Sequence, residues 1–293
     1  MEFKEFLNTV TDMLPDYLFS YDIESIRVQT VTKNNGINLT GLVIMVKDED
    51  IAPNIYMEYY YNMYRQGKGM DDIVSGIAEE YENIRCKMPE YNIGDFDIKS
   101  MKNTVYMVLV NYEKNKEKLA DCPHIQFLDL AVMFRFVAAA DDECISSGIV
   151  RNVEQSIWEL STEELYKLAY ENTRKQFPMY MMKLSDKLRD MKPDFGFVPE
   201  TNLYILSNTK NSYGAKYMTD KDALEKFADI CESSFYIIPS SVHEVLLLPE
   251  NTEMTRDQLR DVINEVNQYV LSDLEYLSDK LYYYDRDKRT IEF

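Results

Sequence analysis

Apolar residues recur every three or four positions in several segments of the chain, which is the spacing of an amphipathic helix. This pattern predicts a first helix over residues 3–14, and Pro15 is expected to end or kink it. A continuous apolar stripe predicts another helix over residues 71–87. Residues 55–64 are compatible with a helix or a strand, because their tyrosines share a helical face but also favour strands; helix is preferred.

Three further helices are predicted from residues that can cap a helix N-terminus. A Ser or Thr followed three residues later by Glu or Gln can form a capping box, in which each side chain bonds the other residue's backbone amide. Residues 162–176 with Ser161 and residues 256–268 with Thr255 have this form. Residues 220–231 are predicted as a helix that Thr219 opens, without the capping box.

Several apolar runs have the length and the β-branched or aromatic content of strands. The best-defined pair, Ser25–Lys33 and Ile37–Lys47, flanks Asn34-Asn35-Gly36, whose Asn-Gly step tolerates the positive φ of a tight turn and predicts a hairpin. The other predicted strands are Thr104–Tyr112, Asp129–Ala140, Asn202–Ser207, Phe235–Ile238 and His243–Leu248, and the segment Ile145–Trp158 could complete a meander with the first two.

Pro193, Gly196 and Pro199 interrupt the pattern and predict a soft boundary. We therefore expect an N-terminal α+β region over residues 1–190 and a C-terminal β-α-β-β-α region over residues 200–293, although the two could be one domain. The predicted fold class is α+β, with mainly antiparallel sheets, helices packed on one face and two packed subdomains.

The net charge of the chain indicates which kinds of partner it can bind. The chain of 293 residues carries 51 Asp and Glu against 32 Lys and Arg, a formal net charge of −19 at pH 7. Nucleic acids and anionic membranes are bound mainly through Lys and Arg, so neither is expected as a partner. A basic protein partner is compatible with this charge.

The four cysteines are scattered along the chain and form no CxxC pair, which is typical of reduced thiols. No run of about 18 apolar residues occurs, and the first residues lack the apolar centre of a signal peptide. We therefore expect a cytoplasmic protein.

Familiar site motifs are absent from the sequence. It contains no GxGxxG or GxxxxGK[ST] phosphate loop, no calcium loop and no GxSxG nucleophile elbow. The pair Cys122 and His124 lacks the further ligands of a zinc site, and His243-Glu244 is not followed by the second histidine of HExxH. We predict no metal, no cofactor and no catalytic residue.

One polar insertion stands out between two apolar runs. The residues Ser240, Ser241, His243 and Glu244 bring two hydroxyls, an imidazole and a carboxylate into a strand-like region, next to Pro239. If the strand continued, Glu244 would face away from Ser241 and His243, so a catalytic relay would need a turn. These four residues are predicted either to hold a turn or to form a binding site, and a catalytic role is the third alternative.

Four segments together resemble a domain-of-unknown-function family of gut clostridial bacteria. They are VTKNNGINLTGLVI, VYMVLVNYEKN, WELSTEELYKLAYENT and FYIIPSSVHEVLLLP, and the last contains the P-S-S-x-H-E signature at Pro239–Glu244. The resemblance spans nearly the whole chain and implies a bacterial cytoplasmic protein. It implies no activity, cofactor or catalytic residue.

Three functions remain as hypotheses. The first is a non-enzymatic protein-interaction module, which the acidic charge, the abundant tyrosine and the lack of a complete catalytic set favour. The second is a small-molecule binder or hydrolase that uses the Ser240–Glu244 segment. The third is an acidic mimic of nucleic acid that blocks a basic protein, which rests on the charge alone.

Overall fold

The computed structural model describes residues 1–49, 52–87, 97–140, 145–191 and 201–293. The chain divides into two compact units. The first comprises Met1–Lys33 and Ile37–Asp97, and the second comprises Asn34–Gly36 and Ile98–Phe293.

In its described residues, the first unit combines three α-helices with a small antiparallel sheet of strand order β1-β2-β3. Its elements are α1 (Phe3–Tyr17), β1 (Ile23–Thr32), β2 (Asn38–Val46), β3 (Asn54–Tyr56), α2 (Met57–Arg65) and α3 (Met70–Lys87). Alternate residues of β2, Leu42, Ile44 and Val46, meet the apolar stripes of the helices in one core.

Most predictions for this unit are confirmed, and two differ in detail. β1 pairs with β2 as the predicted hairpin, and Asn35 adopts a positive φ of 58°. α1 continues through Pro15 to Tyr17, since the proline removes only one helical hydrogen bond, that of its own missing amide. Residues 55–64 contain both alternatives, since β3 ends at Tyr56 and α2 begins at Met57.

The described part of the second unit contains two antiparallel sheets. Its elements are α4 (Ile98–Met101), β4 (Val105–Asn111), α5 (Lys116–Leu119), β5 (His124–Phe127), β6 (Leu130–Ala140), β7 (Ile145–Ile149), α6 (Asn152–Trp158), α7 (Thr162–Gln176), β8 (Met179–Lys183), α8 (Leu184–Met191), β9 (Tyr204–Asn208), α9 (Lys221–Cys231), β10 (Phe235–Ser241), β11 (Glu244–Pro249), α10 (Arg256–Tyr269), β12 (Tyr282–Asp285) and β13 (Thr290–Glu292), with 3₁₀ turns at Asn34–Gly36, Lys102–Thr104, Glu113–Asn115 and Gly214–Thr219.

The two sheets of this unit share a core. One has the order β4-β6-β5 with β7 on β6, and the other has the order β13-β12-β10-β11-β9-β8. Odd-numbered residues of β4 and β10 join this shared core together with α7 and α9. The opposite face of β10 packs against α10 through Leu259 and Ile263.

The α+β class with antiparallel sheets is confirmed. Helices were predicted on one face only, but the six-stranded sheet has α9 on one face and α10 on the other. The reason is that apolar residues alternate on both sides of β10, so each face needs a cover.

Two of the three predicted helix caps are confirmed, and one is wrong. Ser161 and Thr255 form capping boxes, as predicted. α9 is capped by Asp220, whose carboxylate accepts from the amide of Ala223, because the hydroxyl of Thr219 donates instead to the carbonyl of Lys216.

The predicted boundary between residues 190 and 200 falls inside the second unit, and residues 192–200 lie outside the described ranges. β8 and β9 lie on opposite sides of that segment and pair with each other, from Met179–Asn208 to Lys183–Tyr204. None of the helices in the described ranges combines the length and apolar character that a membrane crossing requires.

Candidate functional site

The predicted polar insertion forms a hairpin turn between β10 and β11. Ser241 pairs with Glu244, which leaves Val242 and His243 as a two-residue loop. The register shifts between Pro239 and Ser241, so that Ser240 is the extra residue of a β-bulge. Pro239 fits in β10 because β12 pairs only with its first three residues, so the missing amide breaks no bond on that side.

The backbone of Val242 is bonded to two other segments of the second unit. Its amide donates to the carbonyl of Glu275 at 2.9 Å, and its carbonyl accepts from the amide of Ala215 at 3.3 Å. The side chain of Val242 is buried in the core shared by the two sheets. These contacts fix the tip of the hairpin.

His243 completes the hydrogen bonds of the turn. Its amide donates to Ser241 Oγ at 3.0 Å, and its carbonyl accepts from Ser207 Oγ at 2.8 Å. A Cβ at Gly214 would lie 2.4 Å from this carbonyl and 2.2 Å from Ser207 Oγ, so the close approach requires glycine. All four backbone polar groups of Val242 and His243 therefore have partners.

The imidazole of His243 has a defined tautomer. Nδ1 lies 3.1 Å from the amide of Tyr213, and because an amide can only donate, Nδ1 must accept. In the neutral ring the proton is therefore on Nε2, which lies 3.6 Å from Oε1 of Glu275. The lone pair of Nδ1, which a general base would use, already accepts a hydrogen bond from the backbone amide of Tyr213.

The structure brings the four predicted site residues together without assembling a relay. Ser240 Oγ donates to Glu244 Oε1 at 3.4 Å, whereas Ser241 Oγ accepts from the backbone. No hydroxyl in the described ranges donates to the imidazole of His243, so His243 activates no described serine as a nucleophile. The arrangement therefore fixes the turn. It also leaves the His243 side chain one-third exposed beside the carboxylate of Glu275.

The pair Cys122 and His124 is also accounted for by local structure. The thiol of Cys122 is buried, and burial raises its pKa, which makes it a poor nucleophile and ligand. His124 places Nδ1 2.9 Å from the carbonyl of Cys122. Within the described part of the chain, no three His, Cys, Asp or Glu side chains converge as metal ligands, and Cys144 lies outside it.

Lys216 is a buried cation that sequence reasoning missed. Its side chain is 1% exposed in the Gly214–Thr219 turn, and among the described residues Nζ has no hydrogen-bond partner. Nζ lies 4.1 Å from the ring centre of Phe177 and 5.3 Å from that of Tyr106. Burial lowers the pKa of Lys216 to about 7. No sequence signal points to it, since lysines are ordinarily exposed.

Helix α10 presents a second apolar surface besides the face that packs on the sheet. Val262, Val266, Tyr269 and Val270 are spaced as one side of a helix, and we call them the α10 stripe. Val262 is 43% exposed, Tyr269 76% and Val270 78%.

The charges beside the α10 stripe are acidic. Asp261 and Glu265 are exposed and form no ion pair within the described ranges. The two arginines of the helix are engaged elsewhere: Arg260 pairs with Asp257 at 3.2 Å, and the guanidinium of Arg256 lies over the ring of Tyr283 at 5.0 Å. The stripe is therefore apolar at its centre and negative at its edge.

Comparison with known protein families shows which family the chain belongs to. A profile described as a family of unknown function (DUF5688) matches residues 3–286, and the chain belongs to this family. No curated protein and no solved structure matches the chain significantly. The resemblance read from the sequence is thereby confirmed at the level of the family.

Proposed function

We propose that this member of the family is a non-enzymatic protein-interaction module, and that the α10 stripe is its docking surface for a basic protein segment. The observation that carries the proposal is the exposure of Tyr269 and Val270 beside carboxylates that have no ion pair within the described ranges. Large exposed apolar side chains that are contiguous and bordered by charge are typical of binding surfaces.

The chemistry of the stripe defines the partner. Apolar side chains of the partner would cover Val262, Tyr269 and Val270, and its lysines or arginines would face Asp261 and Glu265. The net charge of −19 adds long-range attraction for a basic segment, which raises the association rate. The partner we propose is therefore a basic amphipathic segment of another protein.

A hydrolase at the Ser240–Glu244 segment is supported less well. His243 Nδ1 accepts from the amide of Tyr213, and the hydroxyl of Ser241 accepts from the amide of His243. A base and a nucleophile would both have to leave these bonds before they could react.

The test measures binding of a synthetic peptide with lysine and leucine at helical spacing to the whole protein. We expect the double variant Tyr269→Ser, Val270→Ser to weaken binding about tenfold or more, since exposed aromatic anchors dominate interface energies. The matched control is Ile230→Ser, which removes another exposed apolar side chain of the second unit and should leave the affinity unchanged.

Two results would overturn the proposal. Equal weakening by Ile230→Ser would show that the peptide adsorbs to any apolar residue. Unchanged affinity in the double variant, with binding lost at high salt, would favour the acidic mimic, because a mimic holds its partner by charge alone. A peptide with glutamate in place of lysine should not bind in any case.

A further inference from the structure

The first unit contains a cavity of about 700 Å³ where α2 meets the turn into α3. Its lining residues are Met1, Glu2, Tyr61, Tyr64, Arg65, Gly67 and Lys68. Pockets of this volume are large enough to hold a ligand of cofactor size.

One wall of the cavity is aromatic and packs on the core of the unit. The rings of Tyr61 and Tyr64 are nearly parallel, with centres 6.3 Å apart. Behind them, Phe6 contacts Tyr61 at 5.3 Å and Tyr64 at 5.7 Å between ring centres, and Phe6 itself is fully buried. These rings form a preformed surface on which a planar group can stack.

The other wall carries two cations, Arg65 and Lys68. Arg65 ends α2, Lys68 follows in the turn, and neither side chain forms an ion pair or hydrogen bond within the described residues. Gly67 lies between them with a φ of +97° and open space at its Cβ position, so the turn leaves room beside both cations. In a protein with a net charge of −19, two adjacent cations that outnumber the one carboxylate of the lining, that of Glu2, favour an anion locally.

We propose that this cavity binds a small aromatic phosphate, with its ring on Tyr61 and Tyr64 and its phosphate on Arg65 and Lys68. The planar guanidinium of Arg65 can bond two phosphate oxygens at once, and Lys68 supplies the second positive charge that a dianion requires. The carboxylate of Glu2, which also lines the cavity, repels a phosphate but accepts from hydroxyl groups. The ligand therefore carries hydroxyl donors as well, as a nucleoside monophosphate does.

The test is isothermal titration calorimetry of the whole protein at low ionic strength with adenosine 5′-monophosphate, adenosine and inorganic phosphate as probes. We expect the monophosphate to bind about tenfold or more tightly than adenosine or phosphate, because only the monophosphate reaches both walls. Arg65→Gln should weaken it about tenfold, since it removes the bidentate contact. The exposed residue Lys4 gives the matched control, and Lys4→Gln should change nothing, although it removes the same charge from the same unit.

Three outcomes would contradict the proposal. They are no heat of binding with adenosine 5′-monophosphate at millimolar concentration, equal affinity for adenosine and its monophosphate, and unchanged affinity of Arg65→Gln for the monophosphate. Arg65 is exposed, so its substitution leaves the core of the unit intact. A separate check is Tyr64→Leu, which should weaken adenosine and its monophosphate alike and leave phosphate unaffected.

Discussion

Two buried polar regions of the second unit contrast with each other. Asn35 and Asn115 lie in one of them and Lys216 lies in the other, and all three side chains are nearly inaccessible to solvent. The amides are hydrogen-bonded to each other and to the backbone, whereas the amine lies over aromatic rings and has no hydrogen-bond partner among the described residues. The comparison shows two ways in which a fold accommodates a buried polar group.

The amides are stabilised by mutual and backbone bonds. Asn115 accepts from the amide of Asn35 at 3.0 Å and donates to Oδ1 of Asn35 at 3.0 Å and to the carbonyl of Asn111 at 2.9 Å. Asn35 in turn donates to the carbonyls of Asp273 and Tyr276, both at 2.8 Å. These bonds replace the ones to water that burial removes.

In Lys216, by contrast, burial destabilises the charged form of the amine. The ring of Phe177 attracts an ammonium, but a desolvated cation–π contact contributes only about 2 kcal/mol. The loss of hydration of an unpaired ammonium is several kcal/mol, so desolvation wins and the pKa falls to about 7. A satisfied buried group is therefore expected to stabilise the fold, and an unsatisfied one to destabilise it.

The largest effect should come from breaking the satisfied region. Asn115→Ala removes three hydrogen bonds and leaves the amide of Asn35 buried without a partner, so we expect the free energy of unfolding to fall by about 4 kcal/mol. Urea unfolding at pH 7 measures this. The control Asn251→Ala, at an exposed loop position, should change stability by less than about 0.5 kcal/mol. A similar small loss in Asn115→Ala would contradict the stabilising role of the network.

Substitution of Lys216, the buried group without a hydrogen-bond partner among the described residues, is expected to raise the free energy of unfolding rather than lower it. Lys216→Met keeps a long unbranched side chain and removes the amine, so we expect the free energy of unfolding to rise by about 3 kcal/mol at pH 7. The same urea experiment decides it. A loss of stability would mean that the amine has a favourable partner, and the contrast with Asn115 would disappear.

The pH dependence gives the smallest and most selective effect. The unfolded chain keeps Lys216 protonated up to about its ordinary pKa of 10.5, whereas the folded chain releases the proton near pH 7. Between these values the unfolded state binds more protons, so stability rises with pH. We expect the advantage of Lys216→Met over the wild type to shrink by about 2 kcal/mol from pH 7 to pH 9.5.

Measurements for this comparison should stay below pH 10, because burial raises the pKa of Tyr282 and Tyr60 and their ionisation then favours the unfolded state. If the stability advantage of Lys216→Met stayed constant from pH 7 to pH 9.5, the pKa of Lys216 would be the same in the folded and unfolded states.

Much of the secondary structure could be predicted from the sequence. α3, α7 and α10 follow from apolar periodicity and from the capping residues Ser161 and Thr255, and the first hairpin follows from Asn35-Gly36. These signals are local, because capping and turn formation involve residues only a few positions apart. The short strands β8, β12 and β13 went unpredicted, since their pairing depends on partners distant in the chain.

At the candidate site, too, the sequence did not reveal contacts between segments that are distant in the chain. The sequence identified the polar insertion at Ser240–Glu244 and its need for a turn. It could not show that the partners of His243 are Ser207, Tyr213 and Glu275, which come from separate segments. Those contacts fix the tautomer of the ring and therefore what the ring can do.

The sequence by itself determined the α+β class, the main helices, the first hairpin and an acidic chain without familiar catalytic motifs, because these depend on local pattern and composition. Only the tertiary structure decided that Lys216 is buried without a hydrogen-bond partner among the described residues, that Asp220 caps α9, and that Tyr269 and Val270 are exposed. Burial and hydrogen bonding depend on which distant segments pack together, and no residue pattern within one segment specifies that.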